Sequence, residues 1–442
     1  MHRNGVATMH KHEATGAAVI VGGGHAGGEL CFALREQGWQ GAIVLVSDEP
    51  CLPYHRPPLS KTFLVGDARP DTLQLRPHSA YEKAQIRWIG GAKVSEIRRA
   101  SKVVVLSDGR ELPYAKLALA TGGSPRRLPQ GKTPTGGEPT NLHYLRTVED
   151  GLRLGAQFRP GARLVVIGGG YIGLEVAALA IGHGLQVVVL EAATRLLARV
   201  TSPEMSAFYE RAHQQAGVEV RTGVQVTGFD FDAQQTTITA VRCGDATRRM
   251  ADLVVAGIGL HPNTELASAA GLAVNDGIVV DELARTSDLD IVAAGDCTRH
   301  PCDIAGGRLV RLESVPNAAE QARTAAATMC GRERPHRALP WFWSDQHDLK
   351  LRSVGLMQGH DTLVVRGSME ERSFSVFYLE GRRVVAADSV NRMQEFMVVK
   401  RLVGDRLDVN PAQLADTAMP LKDLVVNAQR EGERAYAHSD IH

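Results

Sequence analysis

An α/β protein with two parallel-sheet units and a small antiparallel domain at its C-terminal end is the fold that this sequence predicts. Three observations predict it. A glycine-rich motif, Gly-x-Gly-x-x-Gly, occurs twice, each time directly after a short apolar run. Each motif is followed by an acidic residue at the end of the next apolar run. From about residue 335, short segments alternate between apolar and polar residues, which is typical of antiparallel strands. The sequence therefore predicts two Rossmann-like dinucleotide-binding domains and an α+β C-terminal domain.

The two glycine motifs have the spacing of a phosphate-binding turn. The first contains Gly22, Gly24 and Gly27 after the apolar run 17–21. The second contains Gly168 and Gly170, with Gly173 completing it, after the run 164–167. In such a turn, glycines let the backbone approach a pyrophosphate, and the following helix directs its N–H groups at the phosphates. A single copy is a weak signal, whereas two copies indicate two bound dinucleotides.

The acidic residues strengthen this interpretation. Asp48 lies 21 residues after the third glycine of the first motif, just beyond the apolar run 43–46. Glu191 lies 18 residues after the third glycine of the second, at the end of the run 187–190. A carboxylate at this position hydrogen-bonds a ribose 2′-OH.

The composition excludes several classes of protein. The chain has 442 residues, 44% hydrophobic and 22% charged, enough for about three domains. Its net charge of +1 predicts no nucleic acid or anionic membrane as a partner. No signal peptide is evident in the polar segment 1–16, and no apolar run approaches the roughly 18 residues of a membrane helix. We therefore expect a cytoplasmic protein.

Histidine and cysteine usage predicts neither a metal site nor a redox disulfide. Three histidines near the N-terminus have no cysteine or carboxylate cluster beside them: His2, His10 and His12. Cys297 and Cys302 have the spacing of a redox pair, but such a pair would have to follow the first glycine motif. The six cysteines are scattered, as expected for thiols in a reducing compartment.

The order of the remaining segments suggests domain boundaries. Residues 102–114 resemble a hairpin, and the next apolar run ends at Thr121-Gly122. A Pro- and Gly-rich linker over 124–139 follows. The run 252–259 ends at Gly259 and is interpreted as the crossing back to the first domain, where the run 290–296 delivers Asp296 at its end. The predicted domains are 1–121 with 254–332, then 122–253, and finally 333–442.

Several longer motifs resemble the NADH-dependent ferredoxin reductases of bacterial oxygenase systems, a family with the fold of glutathione reductase. The resemblance runs almost end to end. Two of its motifs are narrow, namely Pro-Pro-Leu-Ser-Lys at 57–61 and Trp-x-Trp-Ser-Asp-Gln at 341–346. The others are broader: Ala-Thr-Gly-Gly at 120–123, Gly-Gly-Gly-Tyr-Ile-Gly-Leu-Glu at 168–175, Gly-Ile-Gly at 257–259, Ala-Gly-Asp-Cys at 294–297, and Glu-Ser-Val-Pro-Asn-Ala at 313–318.

The resemblance implies that the first domain binds FAD. It places Lys61 beside the isoalloxazine, where a cation stabilises the anionic reduced flavin. Val94 and Val315 are expected at the FAD only through the resemblance, since either would otherwise be a core residue. The FAD residues that it implies are Gly22, Gly24, Ala26, Gly27, Asp48, Lys61, Val94, Thr121, Arg146, Asp296, Val315 and Trp343.

The second domain is expected to bind NADH. The Glu191 carboxylate would repel a 2′-phosphate, which favours NADH over NADPH, although Arg195 four residues on leaves NADPH use open. The resemblance also implies that Glu175 contacts the nicotinamide and pairs with Lys61, and that Tyr171 covers the flavin. Alternatively, Glu175 is a carboxylate that complements the helix N-terminus, and Tyr171 is an aromatic residue that packs in the core. The expected coenzyme residues are Gly168, Gly170, Ile172, Gly173, Glu191 and Gly259, and the expected catalytic residues are Lys61, Glu175 and Tyr171.

The implied electron acceptor is a [2Fe–2S] ferredoxin that feeds an oxygenase, for example a haem-thiolate monooxygenase. Because ferredoxins are usually acidic, candidate docking residues are Arg76, Arg311 and Arg323. Trp341 and Trp343 are expected either near the flavin or in an aromatic core cluster. The protein is expected to be a monomer or a weak homodimer.

Two other functions share parts of this pattern. A flavoprotein interaction module like apoptosis-inducing factor has the Pro-Pro-Leu-Ser-Lys region, but needs a large C-terminal insertion for which residues 335–442 are too short. An NADH oxidase or peroxidase needs a redox cysteine at the flavin, and Cys51 is the only candidate.

Overall fold

A computed structural model describes residues 16–66 and 68–429, so the three N-terminal histidines lie outside the described residues. The chain divides into two compact units. The first comprises the described residues up to 54, together with 74–123 and 262–338. The second comprises the described residues of 55–73, 124–261 and 339–429. Within this described part, no helix is both long enough and apolar enough to cross a membrane.

The first unit is built on a five-stranded parallel sheet that carries the first glycine motif. Its strands, from one edge to the other, are Ile291–Ala293, Lys116–Leu119, Ala18–Val21, Ile43–Val46 and Ile86–Ile89. Residues 18–21 and 43–46 are all buried, as expected for a parallel sheet covered on both faces. The strand before the first glycine motif, Ala18–Val21, is therefore the central one. Ligands of such sheets bind beyond the carboxyl ends of the strands.

Two layers cover this sheet. The helices His25–Glu36 and Val315–Met329 pack against each other and share one core cluster with the sheet. A three-stranded antiparallel sheet covers the other face. It contains the predicted hairpin, which turns at Gly109 with φ of +87°. The remaining elements of this unit are Val94–Arg98, Val103–Leu106, Glu111–Pro113, His78–Lys83, Glu265–Ala269, Ile278–Val279, Thr298–Pro301, Asp303–Ala305 and Leu309–Val310.

A second parallel sheet carries the second glycine motif. Its strand order is Glu219–Thr222, Gln186–Glu191, Arg163–Ile167, Leu253–Ala256 and Leu142–His143. The strand Leu253–Ala256 therefore belongs to this sheet, and the first unit resumes at residue 262 rather than at the suggested 254. The other elements of this part are Pro57–Ser60, Pro70–Leu73, Val148–Gly155, Tyr171–Gly182, Pro203–Gln215, Val226–Phe231, Ile238–Cys243 and Arg248–Met250.

The C-terminal part of the second unit is a five-stranded antiparallel sheet with helices on it, as the alternating sequence predicted. The strands run in the order Trp341–Gln346, Leu349–Gly355, Arg383–Val390, Ser373–Glu380 and Thr362–Ser368. The predicted turn at Gly381 has φ of +61°, in the region that favours glycine. The helices are Phe396–Gly404 and Pro411–Ala415, with further helical residues at 421–429.

One hydrophobic core joins the second parallel sheet to the C-terminal sheet. Leu164 and Val189 of the parallel sheet share a cluster of buried residues with Leu351 and Phe374 of the antiparallel sheet. The Phe208 ring of the helix Pro203–Gln215 contacts the Phe374 ring edge-on, with centroids 4.8 Å apart. The division into three domains stays a prediction, and within this unit the two sheets share one core.

We expect the first unit to lose stability in acid because it contains two buried histidines. His300 and His336 lie with ring centroids 4.9 Å apart, and burial lowers their pKa values to about 3 and about 4. Protons therefore bind the unfolded chain first as the pH falls below about 6.5. Each histidine then subtracts up to about 1.4 kcal/mol per pH unit from the free energy of unfolding, down to its folded pKa.

We expect the melting temperature of the apoprotein to fall between pH 6.5 and 4, and His300→Phe to flatten that fall. The exposed His78, paired with Glu82, supplies the matched control His78→Gln, which should leave the slope unchanged. Equal slopes in wild type and His300→Phe would contradict the assignment.

Candidate functional site

The first glycine motif forms an open cradle at the start of a helix. Gly22 has φ of +115°, and a Cβ on it would lie 2.1 Å from the Ala120 carbonyl oxygen. A Cβ on Gly27 would lie 1.9 Å from the Gly22 oxygen. A Cβ on Gly24 would meet nothing within 4 Å. Packing thus explains the first and third glycines, whereas the second leaves space for a group outside the protein, as a pyrophosphate requires.

The helix after this cradle begins without a side-chain cap. Gly24 caps the helix His25–Glu36, with no side-chain hydrogen bond at the cap and no acidic residue in the first turn. The first N–H groups of a helix have no partner within the helix, and together with its dipole they favour an anion. The cradle therefore fits a dinucleotide phosphate.

The other predicted FAD residues of the first unit differ in their exposure and contacts. Asp48 is exposed just beyond the strand Ile43–Val46. Gly295, directly before Asp296, approaches Ala26, since a Cβ on it would lie 3.0 Å from the Ala26 Cβ. Thr121 exchanges hydrogen bonds with Asn263 through its hydroxyl and carbonyl. Val315 begins a helix and is half-buried.

Val94 is a core residue in the structure. It is buried in the cluster between the parallel sheet and the small antiparallel sheet. This packing accounts for the valine without a cofactor. Its contact with FAD stays a prediction.

The second glycine motif repeats the first. A Cβ on Gly168, where φ is +106°, would lie 2.5 Å from the Gly257 oxygen, and one on Gly173 would lie 2.3 Å from the Gly168 oxygen. At Gly170 the nearest atom would be 4.0 Å away. Ile172, the second residue of the helix Tyr171–Gly182, is 43% exposed although it is apolar. This cradle too is open where a phosphate would approach.

Glu191 lies at the mouth of the second cradle. Its Oε2 accepts a hydrogen bond of 2.6 Å from the Gly169 N–H, and its Oε1 accepts one of 2.7 Å from the Ala193 N–H. These bonds hold the carboxylate at the end of its strand. Arg195 is used elsewhere, because its guanidinium donates to the Thr201 and Ala198 carbonyls and to the Ser206 hydroxyl. The structure therefore shows a fixed negative charge, with Arg195 bonded to its own loop and to the following helix.

Lys61 and Glu175 form an ion pair within the second unit. The Lys61 Nζ lies 3.2 Å from the Glu175 Oε1, and the exposed fractions of the two side chains are 22% and 4%. Lys61 follows the single turn Pro57–Ser60, and Glu175 lies on the helix Tyr171–Gly182, which begins at the second cradle. A second carboxylate, that of Asp345, is 3.9 Å from the lysine and is also bound by Arg352. The sequence-predicted pair is thus present, with the lysine partly open to solvent.

Two serines that the sequence reasoning missed complete the environment of Glu175. The Ser60 hydroxyl donates to Oε2 at 2.5 Å and the Ser344 hydroxyl donates to Oε1 at 2.7 Å. A buried carboxylate needs such partners, since its desolvation is otherwise costly. Both serines stand in the two narrow motifs, and the strand alternation of 341–346 would have indicated that Ser344 faces inward.

The three predicted aromatic residues of this unit pack against other aromatic rings. Tyr171 packs its ring against Phe342, at a centroid distance of 4.6 Å, and burial raises the pKa of its hydroxyl. Trp341 and Trp343 have centroids 5.5 Å apart, and the Lys400 ammonium lies 4.9 Å over Trp341. These three aromatic residues are only partly buried. Their contacts support the packing alternative, and the flavin contact stays a prediction.

Two further predicted residues lie in loops of the second unit. The Arg146 carbonyl accepts a hydrogen bond of 2.6 Å from Arg56, which ties its segment to the one that carries Lys61. Gly259 has φ of +109°, which favours glycine beyond the end of its strand.

The predicted docking arginines are all ion-paired. Arg76 pairs with Glu29 at 2.9 Å, Arg311 pairs with Glu313, and Arg323 pairs with Glu320. Their charges are therefore largely balanced locally, and their role in docking stays a prediction. None of the six cysteines, all within the described residues, forms a disulfide.

The comparisons with known proteins show the family to which the chain belongs. Residues 16–322 match the family described as "Pyridine nucleotide-disulphide oxidoreductase", and residues 341–425 match "Reductase C-terminal". Putidaredoxin reductase CamA of Pseudomonas putida is 52% identical over 93% of this chain and 97% of its own length. The chain belongs to the ferredoxin reductases of this family.

Other ferredoxin reductases support the same assignment. Rhodocoxin reductase of Rhodococcus erythropolis is 41% identical over 96% of this chain and 97% of its own length. Among solved structures, the covalent putidaredoxin reductase–putidaredoxin complex matches with a TM-score of 0.91 and 51% identity, covering 94% of this chain and 99% of that one. The ferredoxin reductase for the CYP199A2 system of Rhodopseudomonas palustris matches with a TM-score of 0.87 and 39% identity, over 92% and 99%. The predicted family and fold are confirmed, and ferredoxin reductases of this family use FAD and NAD(H).

Proposed function

We propose that this ferredoxin reductase takes electrons from NADH through FAD and delivers them singly to a [2Fe–2S] ferredoxin of an oxygenase system. The observation that carries the proposal is the pair of open glycine cradles in a chain that also forms the half-buried Lys61–Glu175 pair. The putidaredoxin complex among the matching structures supports a ferredoxin as the acceptor.

The residues of the chain would divide the work between binding and positioning. Gly22, Gly24 and Gly27 would hold the FAD pyrophosphate, and Gly168, Gly170 and Gly173 would hold that of NADH. When bound, FAD supplies the chemistry that accepts a hydride and releases electrons one at a time. Lys61 provides a fixed positive charge, and Glu175 holds that charge in place.

The cysteines and the C-terminal family match bear on the location of the protein and on the alternative functions. The six thiols suit a reducing compartment, so the cytoplasm is the location that we expect. The contiguous match of the C-terminal family to residues 341–425 leaves no place there for the large insertion of an apoptosis-inducing factor. The oxidase alternative would depend on Cys51, which is partly buried in the first unit.

The test is NADH-driven reduction of a panel of bacterial [2Fe–2S] ferredoxins by the FAD-loaded protein. We expect fast reduction of at least one of them, unchanged in Cys51→Ser. Rapid flavin reduction without any ferredoxin reduction would refute the proposal. Loss of oxygen or peroxide turnover in Cys51→Ser would then favour the oxidase.

The preference for NADH is a separate prediction, made for Glu191. Replacing Glu191 with Gln removes the negative charge but keeps a hydrogen-bond acceptor for the backbone. We expect the ratio of kcat/KM for NADH to that for NADPH to fall about 10-fold, or roughly 1.4 kcal/mol. Steady-state kinetics with both coenzymes measure it, and Glu219→Gln, on the neighbouring edge strand, is the control. An unchanged ratio would show that Glu191 does not set the preference.

A further inference from the structure

A continuous chain of hydrogen bonds links the buried Glu175 to the protein surface within the second unit. Ser344 Oγ lies 2.7 Å from Glu175 Oε1, and Gln346 Nε2 lies 3.1 Å from Ser344 Oγ. Gln346 Oε1 lies 2.9 Å from His213 Nε2, and His213 Nδ1 lies 3.1 Å from His347 Nε2. We call these five residues the Glu175 chain. Its members come from two helices, one strand and one turn.

The direction of every bond in the Glu175 chain follows from its buried end. The ionised Glu175 only accepts, so Ser344 must donate to it. The Ser344 oxygen then accepts from the Gln346 amide N–H, which leaves the Gln346 carbonyl facing His213. His213 must therefore carry its proton on Nε2 and accept at Nδ1 from His347. All four donors point the same way, towards Glu175.

The position of His213 is not explained by apolar packing. It is 0% exposed on the helix Pro203–Gln215, among the residues of the shared hydrophobic core. A buried imidazole is costly unless its nitrogens are bonded, and here both are. Burial also lowers the pKa of His213 to about 4, which keeps the ring neutral near pH 7. A neutral ring is what this bonding pattern requires, because a proton on Nδ1 would face the His347 donor.

The two ends of the Glu175 chain face different charges. At the buried end are Lys61, with Asp345 beyond it, and the hydroxyl of Tyr171. At the surface end, His347 is exposed in a turn with φ of +54°. Asp348 and Arg372 face His347 with opposite effects, and burial lowers its pKa. His347 therefore becomes charged only below the ordinary histidine range of about 6.5.

We propose that His213 is a positioning residue that, together with His347, fixes the Glu175 carboxylate and thereby the Lys61 ammonium. The proposal rests on the proposed function for the role of this ion pair. Bonds that all donate in one direction polarise one another, so the loss of one donor weakens the hold on the carboxylate. When His347 becomes charged, it remains a donor through Nε2 and strengthens the same chain.

The first test uses the apoprotein. Nitrogen-15 NMR of labelled histidines should show His213 as the neutral Nε2–H tautomer between pH 5 and 8, with assignment by His213→Gln. It should show His347 titrating below pH 6.5. An Nδ1–H tautomer, or a His213 cation at pH 6, would overturn the proposal whatever the enzyme does.

The second test measures FAD reduction by NADH in a stopped-flow instrument, without ferredoxin. His213→Leu should slow it about 10- to 100-fold, with a smaller change in KM. His213→Gln keeps a donor for Gln346 and should restore part of the rate. The control is His183→Gln, since the exposed His183 ring bonds to the Leu179 carbonyl of its own helix. Circular dichroism confirms folding, and the Gln variant serves as the test if the Leu variant is unfolded.

Equal rates for the wild type, the folded His213 variants and His183→Gln would overturn the proposal. The proposed function would then still stand if the wild type reduces ferredoxin. Conversely, a wild type that fails with every ferredoxin refutes the proposed function, while the flavin-reduction rates still decide this proposal. For His347→Gln, we expect the ratio of the wild-type rate to the variant rate to increase from pH 6.5 to 5. A constant ratio would overturn the part played by His347.

Discussion

Gly24→Ala should weaken the binding of FAD in a protein that still folds. The residue has φ of −84°, which alanine adopts, and its Cβ would meet no protein atom within 4 Å. The methyl group would instead occupy the space through which a phosphate approaches the helix N-terminus. An overlap of this kind costs about 1–3 kcal/mol, so the FAD dissociation constant should rise about 10- to 100-fold. Titration of the apoprotein with FAD, followed by fluorescence, measures it.

Gly170→Ala is the matched variant for the second cradle. Gly170 has the same φ of −84°, and the nearest atom to its Cβ would be 4.0 Å away. This variant should keep its FAD and lose NADH affinity by a similar factor. The melting temperatures of both apoproteins should stay close to the wild type. If each variant lost both ligands, or if neither lost any, the assignment of one dinucleotide to each cradle would be wrong.

Glu175→Leu should slow the reduction of FAD by NADH by about two orders of magnitude. Small misplacements of a positioning group have effects of this size. Among the described residues, the substitution leaves Asp345, at 3.9 Å, as the acidic partner of the Lys61 ammonium, and it removes the acceptor of the Ser60 and Ser344 hydroxyls. Stopped-flow absorbance of the bound flavin measures the rate.

The stability of this variant gives a second measurement. Breaking a fully buried pair costs about 3–5 kcal/mol, but Lys61 is 22% exposed, so we expect about 1–3 kcal/mol. Asp345→Asn is the control, because Arg352 also binds that half-buried carboxylate. It should change the rate much less. A Glu175→Leu enzyme as fast as the wild type would mean that the ion pair is only structural.

The parts of the site that depend on backbone could be predicted from the sequence. The two cradles follow from glycine spacing, because close backbone approach permits only glycine at positions such as Gly22 and Gly173. The strand that delivers Glu191 follows from a run of apolar residues. These are local patterns, and the structure preserves them with shifts of a residue or two at the ends.

Contacts between distant segments could not be predicted in this way. Ser344 reaches Glu175 across 169 residues of sequence, and His213 reaches Gln346 across 133. Arg195 shows that nearer contacts are also missed, because its hydrogen bonds to the Ala198 and Thr201 carbonyls and to the Ser206 hydroxyl leave no sequence signal. The pairing of Lys61 with Glu175 was expected only through the family resemblance. Tertiary packing decides which polar groups meet, and spacing along the chain does not record it.

The shared core of the second unit has a consequence for protein engineering. Phe374 of the C-terminal sheet is wholly buried against Phe208 and the residues around it. A hybrid reductase that exchanged only the segment after residue 338 would join two half-cores shaped for different partners. A workable graft would have to carry the helix Pro203–Gln215 with the C-terminal sheet. The C-terminal sheet of such an enzyme is therefore inherited together with part of the second parallel-sheet domain, rather than as a detachable module.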